Sequence, residues 1–437
     1  MNQFTITGRE RMVLFGLMIL GAICLVMTYI LEPASMTVDI VDHHTGKAAS
    51  TEIFLHHTRF WTNLLHNTVL FTGMAFTAMF AYSAFISGYG GWFSGMKRLW
   101  EAYALYMGVG FFLFLIIIAG VWLHWHHLYH WNVEGVATKG HENYDKVIAG
   151  KSAFLNKYWY TFGTIIFLGS WYLITAKVRA LSVAEDSLEA GDYTAHNKIR
   201  WWIALFLPIG AFTSAALIWQ WIMSIDAHWY STMYAWNATA SFFVAMLSMT
   251  VLMLIYLRSR GFFLNVNENH MHDIGKFLFG FSVFWTYTWF SQYMLIWYSN
   301  NGEETVYFLT RRDQYPVLFW ANIGLNFVLP FLILIRNSSK RKFGTIGLVA
   351  AITLVGHWLD IFLMIKPGAW QNLFPHGAST DFIGSMPGYT LPGLLEIGVF
   401  LGFLASFVYF TFTRLAAAQL EPTSDPYIGE SVTHHVI

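Results

Sequence analysis

Ionisable residues stand in this sequence where lipid-soluble helices should hold none. His124, His126, His127 and His130 close one long apolar run, and His66 lies inside another. Asp226 and His228 end a third, His357 and Asp360 lie within a fourth, and Glu396 opens a fifth. A charge at the centre of a bilayer costs on the order of 3 kcal/mol or more, so such residues face a bundle interior or a wet cavity and mark transport or proton relay. His357 and Asp360 are one helical turn apart. A histidine and a carboxylate beside a cavity can receive the two protons released when a quinol is oxidised, because imidazole titrates near neutral pH. The same pair could equally be a hydrogen-bonded lock between two helices. The segment Ser224–Thr232, with Asp226 and His228 beside Trp229 and Tyr230, suits either a ring-binding wall and proton exit or a capped connection. Gln292 and Glu396 complete the candidates for a proton path or quinone cavity.

The histidine-rich run Trp122–Trp131 permits other chemistry. On a helix, His124 with His127 and His126 with His130 would each share a face. A b-type haem needs facing histidines from two helices at similar depth, which His66 with His126 or His127 would meet. Histidine and tryptophan are also ordinary at a membrane boundary, and no metal site is expected in this chain. Glu303 and Glu304 with Arg311 and Arg312 read as solvent-facing ion pairs.

The elements that must position these residues follow from composition. The 437 residues are 56% hydrophobic and 19% aromatic, with 11% charged and a mean hydropathy of +0.46. A soluble domain carries about 25% charged residues, so the chain belongs in a membrane, with lipid as its surroundings. Zero formal net charge gives no footing for nucleic-acid binding. The single cysteine, Cys24, excludes an intrachain disulfide, an all-cysteine iron–sulfur cluster and a CxxCH haem attachment. Arg9 and Arg11 precede an apolar run of about 20 residues, long enough to span, so a retained first helix is expected there.

An all-α integral membrane protein with about ten transmembrane helices is expected. The spans fall near 12–31, 61–87, 103–130, 158–177, 201–223, 236–257, 276–298, 316–335, 344–365 and 391–413. Lysine and arginine concentrate on the side of the termini, including Lys97, Arg98, Lys177, Arg179, Arg258, Arg260, Lys340, Arg341 and Lys342. Both termini should therefore be cytoplasmic. His66, His124, His127, Asp226, His228, Gln292, His357, Asp360 and Glu396 then share one outer cluster. The inner halves hold only neutral groups such as Asn322, Asn326 and Ser248, with no carboxylate wire through the membrane. Equal spacing of Asn67 with Gly91 and of Asn237 with Gly261 suggests that spans two to five and six to nine are repeated four-helix units. The chain divides as 1–60 (first span and outer loop), 61–230 and 231–366 (the two bundles), 367–420 (outer cap and last span) and 421–437. Only loops are expected between the spans, with 32–60, 131–157 and 366–390 the longest; the last should be a packed, irregular outer cap, and the tail from Glu421 mobile.

Three segments carry a family resemblance. Phe290-Ser291-Gln292-Tyr293-Met294-Leu295-Ile296-Trp297-Tyr298 followed by Glu303-Glu304-Thr305, Ser224–Thr232, and Gly356-His357-Trp358-Leu359-Asp360 resemble the NrfD-like membrane subunits of alternative complex III. The resemblance covers essentially the whole chain. It implies two four-helix bundles plus two flanking helices in a bacterial inner-membrane complex. That complex oxidises menaquinol and passes electrons to cytochrome c or a terminal oxidase. It implies partners that carry c-type haems and iron–sulfur clusters on the periplasmic side, and a second NrfD-like subunit to which the catalytic quinol site is usually assigned. It implies no haem or covalent cofactor here, menaquinone as the ligand to consider, and no catalysis by this chain alone. A proton-conducting or quinone-site role is implied for Asp226, His228, His357 and Asp360. Two other readings stay open: a diheme b-type quinol dehydrogenase subunit using His66 with His126 or His127, and an ion-coupled secondary transporter in which Asp226, Asp360 and Glu396 bind the ion.

Overall fold

In a computed structural model of the chain, described over residues 3–42, 48–189, 191–374, 378–379, 388 and 390–435, long helices run back and forth across one slab. They are α1 (Gly8–Ile30), α2 (Thr58–Ser87), α3 (Gly91–Trp122), α4 (Lys157–Glu185), α5 (Thr194–Ile225), α6 (Met233–Ser259), α7 (Glu268–Ser299), α8 (Gly302–Gln314), α9 (Pro316–Leu334), α10 (Phe343–Gln371) and α11 (Leu394–Ala416). Local chemistry starts several of them. Thr7 and Glu10 form a reciprocal capping box on α1, Asn156 caps α4, and Pro316 opens α9 with its fixed φ. Among the described residues nine helices are long and apolar enough to cross a membrane, all except α7 and the short α8. The chain is a multi-pass membrane protein. The 32-residue α7 occupies the seventh expected span and packs along α6; its tryptophans, tyrosines, serines and threonines dilute its hydropathy.

The core lies where α2, α6 and α10 meet. In the most apolar stretches of these helices 83%, 83% and 72% of residues are buried, against 11% in α1, so α1 is a flank. Small residues set the approach at both places. A Cβ on Gly73 would fall inside the Phe242 ring, which brings α2 onto α6. A Cβ on Gly21 of α1 would lie 2.4 Å from Gly402 Cα of α11, and one on Gly398 would meet Cys24 Sγ. The fourth and eighth expected spans each contain one π turn, Thr164–Leu168 in α4 and Gly324–Val328 in α9. An extra residue in the turn re-aims the side chains that follow.

Four expectations need correction. The third helix stops at Trp122, eight residues before the expected end at 130, and His124 takes φ +53°, so the histidine pairs do not share a helix face. The loop 32–60 contains an antiparallel hairpin, β1 (Ser35–Asp42) with β2 (Ala48–Phe54), in which Ser35 faces Phe54 and Val41 faces Ala48. Within the expected cap, α10 continues to Gln371 and Ala378–Ser379 adds a short strand to β1; residues 375–377, 380–387 and 389 lie outside the described residues. The tail is not free: Asp425, Ser431 and His434 are bonded to the helix ends beneath them.

The α1–α11 contact makes a direct prediction. Gly398→Cys places its Cβ about 3.1 Å from Cys24 Cβ, close to disulfide spacing, so mild oxidation should consume both thiols. Adding Gly21→Leu should force the helices apart and leave both thiols free, as counted by mass spectrometry after alkylation.

Candidate functional site

Asp360 sits near the middle of the slab on α10 and is 2% exposed. Trp285 Nε1 of α7 donates to its Oδ2 at 2.9 Å, and Asn322 Nδ2 of α9 donates to its Oδ1 at 2.8 Å. Asn322 in turn accepts from Asn326 Nδ2 at 2.6 Å, within the π turn. Gly356 makes room for that amide, since a Cβ there would lie 2.2 Å from Asn326 Oδ1. Ser241 of α6 also hydrogen-bonds Asp360, and its Oγ stands 2.9 Å from His357 Nδ1. The two residues read from the sequence as a pair are thus bridged by a hydroxyl. Among the described residues no cation pairs with Asp360.

A cavity of about 30 Å³ opens beside Asp360 and Asn322 and reaches Gln292, Tyr307 and Arg311. That is room for a water, which needs about 10–15 Å³ and two to four polar partners. Beyond it, Arg311 of α8 donates from Nη2 to Asp226 Oδ2 at 2.9 Å, from Nε to Leu363 O and from Nη1 to Tyr307 O. Its guanidinium lies 3.4 Å over the Tyr307 ring. Arg311 was expected in a solvent-facing ion pair with its neighbours and is instead 3% exposed. Gln292 closes the side, accepting from Ser231 Oγ at 2.8 Å. The result is a polar column Asp226–Arg311–cavity–Asp360–Ser241–His357.

Glu396 and His66 belong to a different cluster. Arg59 of α2 holds Glu396 of α11 with two bonds, 2.8 and 3.0 Å, and Asn63 adds a third at 3.0 Å. His66 Nε2 is 2.8 Å from Trp358 O, with the imidazole stacked on the Trp358 ring. The single expected outer cluster therefore divides into two, one on each side of α10.

The remaining candidate histidines lie at the same end, His126 buried and the others nearer the surface. His228, only two residues from Asp226, turns outward to Asp145 at 2.6 Å and is 46% exposed. Burial would push the Asp145 carboxyl up, but the His228 bond and the Ile148 and Val147 N–H groups outweigh it and bring it down to about 2. His126 packs on Trp61 with Nε2 at 3.2 Å from Ile117 O, His127 stacks on His56, and His124 is exposed. Burial brings both His126 and His127 down to about 4, so they are neutral at physiological pH. His66, His126 and His127 are thus held by separate partners, and the geometry does not bring two of their imidazoles together as a haem pair.

At the opposite end, which carries both termini, charges that the sequence placed between the spans are buried among the helix ends. Lys97 Nζ lies 2.8 Å from Glu185 Oε2 and 2.5 Å from Asp425 Oδ2. Arg98 bonds Asp186 at 2.7 Å, and Arg179 bonds Glu101 at 2.5 Å. Glu185, His196 and Asp425 present ligand atoms within 4.8 Å of one another, a spacing that suits a metal ion. The Lys97 ammonium already lies against both carboxylates and supplies the cation. The signal for this hub was present in Lys97-Arg98 with Glu101 and in Ser182 with Glu185-Asp186, each on one helix face, but their position at span ends read as loop charge. No protein-family model and no curated protein matches the chain.

Two outcomes follow. Arg311→Met alone should cost about 3–5 kcal/mol by leaving Asp226 buried and unpaired, and Arg311→Met with Asp226→Leu should recover most of it, read as a double-mutant cycle of denaturation midpoints. Because Asp145 is depressed below its ordinary value, the stability it lends is complete above about pH 4 and is lost as pH falls towards 2. Pepsin should therefore cut the 136–150 segment increasingly over that interval, whereas Asp145→Asn should already be cut at pH 4.

Proposed function

We propose that this chain is an NrfD-like membrane subunit of a menaquinol-oxidising respiratory complex, and that its part is to conduct protons through the Asp360 column. The observation that carries the proton role is Asp360 itself: a carboxylate deep among the helices, hydrogen-bonded by neutral donors, uncompensated by a cation and bordered by a water-sized cavity. A buried acid of this kind marks a functional site, and proton relay is one of the roles such residues serve. Ser241 links it to His357, a water in the cavity would link it towards Asp226, and Arg311 balances the charge there. The cavity admits water and excludes a quinone ring, which favours proton conduction over quinone binding at Asp360. A ring-sized apolar pocket of about 290 Å³ lies nearby between Lys151, Phe154, Trp219 and Trp229, and is where a quinone headgroup would fit.

In this reading α7 also spans, as the seventh of ten, the matching π turns of α4 and α9 reflect two four-helix bundles, and α1 and α11 flank them. The termini face the cytoplasm of a bacterial inner membrane. Redox metals lie in c-haem and iron–sulfur partners, beside a second NrfD-like subunit, and electrons leave to cytochrome c or a terminal oxidase. The pairing of Asp226 with Arg311 and of Glu396 with Arg59 leaves neither carboxylate free for a coupling ion, which weighs against a transporter.

The test is made on the complex purified in mild detergent, with co-purifying subunits identified by mass spectrometry, and on the same complex in vesicles. Asp360→Asn should lower quinol-driven proton release by roughly a hundredfold or more, with Asp360→Glu partly restoring it and Glu303→Gln neutral. Recovery of the chain without redox subunits, or unchanged proton release in Asp360→Asn, overturns the reading.

A further inference from the structure

The tail beyond α11 does more than end the chain. Its Asp425 comes from beyond the long helices, yet it closes on Lys97 and accepts from Ser94 Oγ at 3.1 Å. Six residues on, Ser431 Oγ accepts from Gly95 N at 3.1 Å, donates to Trp92 O at 2.8 Å and lies 3.2 Å from His270 Nε2. His434 Nε2 then reaches Asp273 of α7 at 2.7 Å. Glycines form the seat: a Cβ on Gly95 would stand 2.8 Å from Ser431 Oγ, and one on Gly91 would strike the Glu430 carboxylate. Tyr427 lies over the His196 ring. A crevice of about 1070 Å³ runs beside the tail between Asp186, Ser187, Glu421 and Thr423, and so reaches the rim of the hub.

We propose that residues 421–435 form a strap that opens and closes the buried hub to water at the end of the molecule that carries both termini. The anchors are almost all polar, and the short helix Ile428–Val432 buries only Ser431. Each neutral anchor exchanges its protein bond for one to water, and lifting returns the charged Asp425 to solvent, so the strap can lift while the helices stay packed. Lys97 couples lifting to access. With Asp425 gone it retains Glu185 alone, and a buried ammonium short of a partner draws in water. The inference does not depend on the role of Asp360 at the other end.

The chain supplies its own control, because Cys24 is its only cysteine and is buried between α1 and α11. Ser94→Cys in a Cys24→Ser background puts a reporter thiol under the strap at a position 3% exposed. In detergent, a small anionic thiol reagent should label it slowly in the full chain and about tenfold or more faster after Asp425→Ala. Gly95→Val should act alike, since it lifts Ser431 and leaves every hub charge in place. Protection of Cys24 in otherwise native chains with the same strap variants shows that the helices remain packed; where Asp425→Ala loses it, Gly95→Val decides. Equal labelling with and without the strap substitutions, or fast labelling with the strap native, overturns the proposal.

Discussion

Lipid offers no counter-charge, so every ionised side chain among these helices has to meet its partner inside the protein. That constraint ties together elements that apolar packing would leave free to slide, because leucine prefers a neighbouring helix to lipid only weakly. Arg59 with Glu396 fixes α2 against α11, Arg311 with Asp226 fixes the surface helix α8 against the end of α5, and Lys97 with Glu185 and Asp425 gathers α3, α4 and the tail. Buried pairs add little net stability over apolar replacements. Their contribution is that any misplacement strands a charge. Around that framework, Asp360 stands out as a carboxylate served by an indole, an amide and a hydroxyl rather than by a cation.

The neighbours of Asp360 come from three helices besides its own, and each is held in turn. Asn322 is fixed by Asn326 across a π turn, Trp285 stands edge-on to His357, and Ser241 bridges to the imidazole. A carboxyl group so surrounded can gain or lose a proton without a large rearrangement, since its donors are neutral in both states. The adjoining cavity lies towards Arg311, which gives the column a direction.

Depth along a helix was legible in the sequence, and direction around it was not. The apolar runs located the spans, although several ends lay about eight residues away, and His357 with Asp360 and Asp226 were visible because charge is costly in such runs. Which face each residue used depended on packing. Glu396 and Asp360 therefore looked like one cluster although α10 separates their surroundings. Asp226 and His228 diverge because the intervening backbone is irregular, with Asp226 at φ −87° and ψ 66°. The end of α3 was missed since Leu123 to Tyr129 keeps the composition of a helix end at a membrane surface. The tail read as solvated because it is polar, whereas its polar groups complement a hub whose own charges had been counted as loop.

The meeting of Gly21 with Gly402 has a consequence for how the molecule is made. α1 leaves the ribosome nearly four hundred residues before α11 by their places in the sequence, roughly the whole length of the bundle between them, and α1 keeps most of its surface outside the core. Its chief partner does not exist until that bundle has been inserted. α1 must wait in lipid, with α2 as its main neighbour, while the helices between are made, and a late step of assembly is the joining of α1 to α11. The bundle between them is complete before that step, so the pair acts as a clasp fastened late.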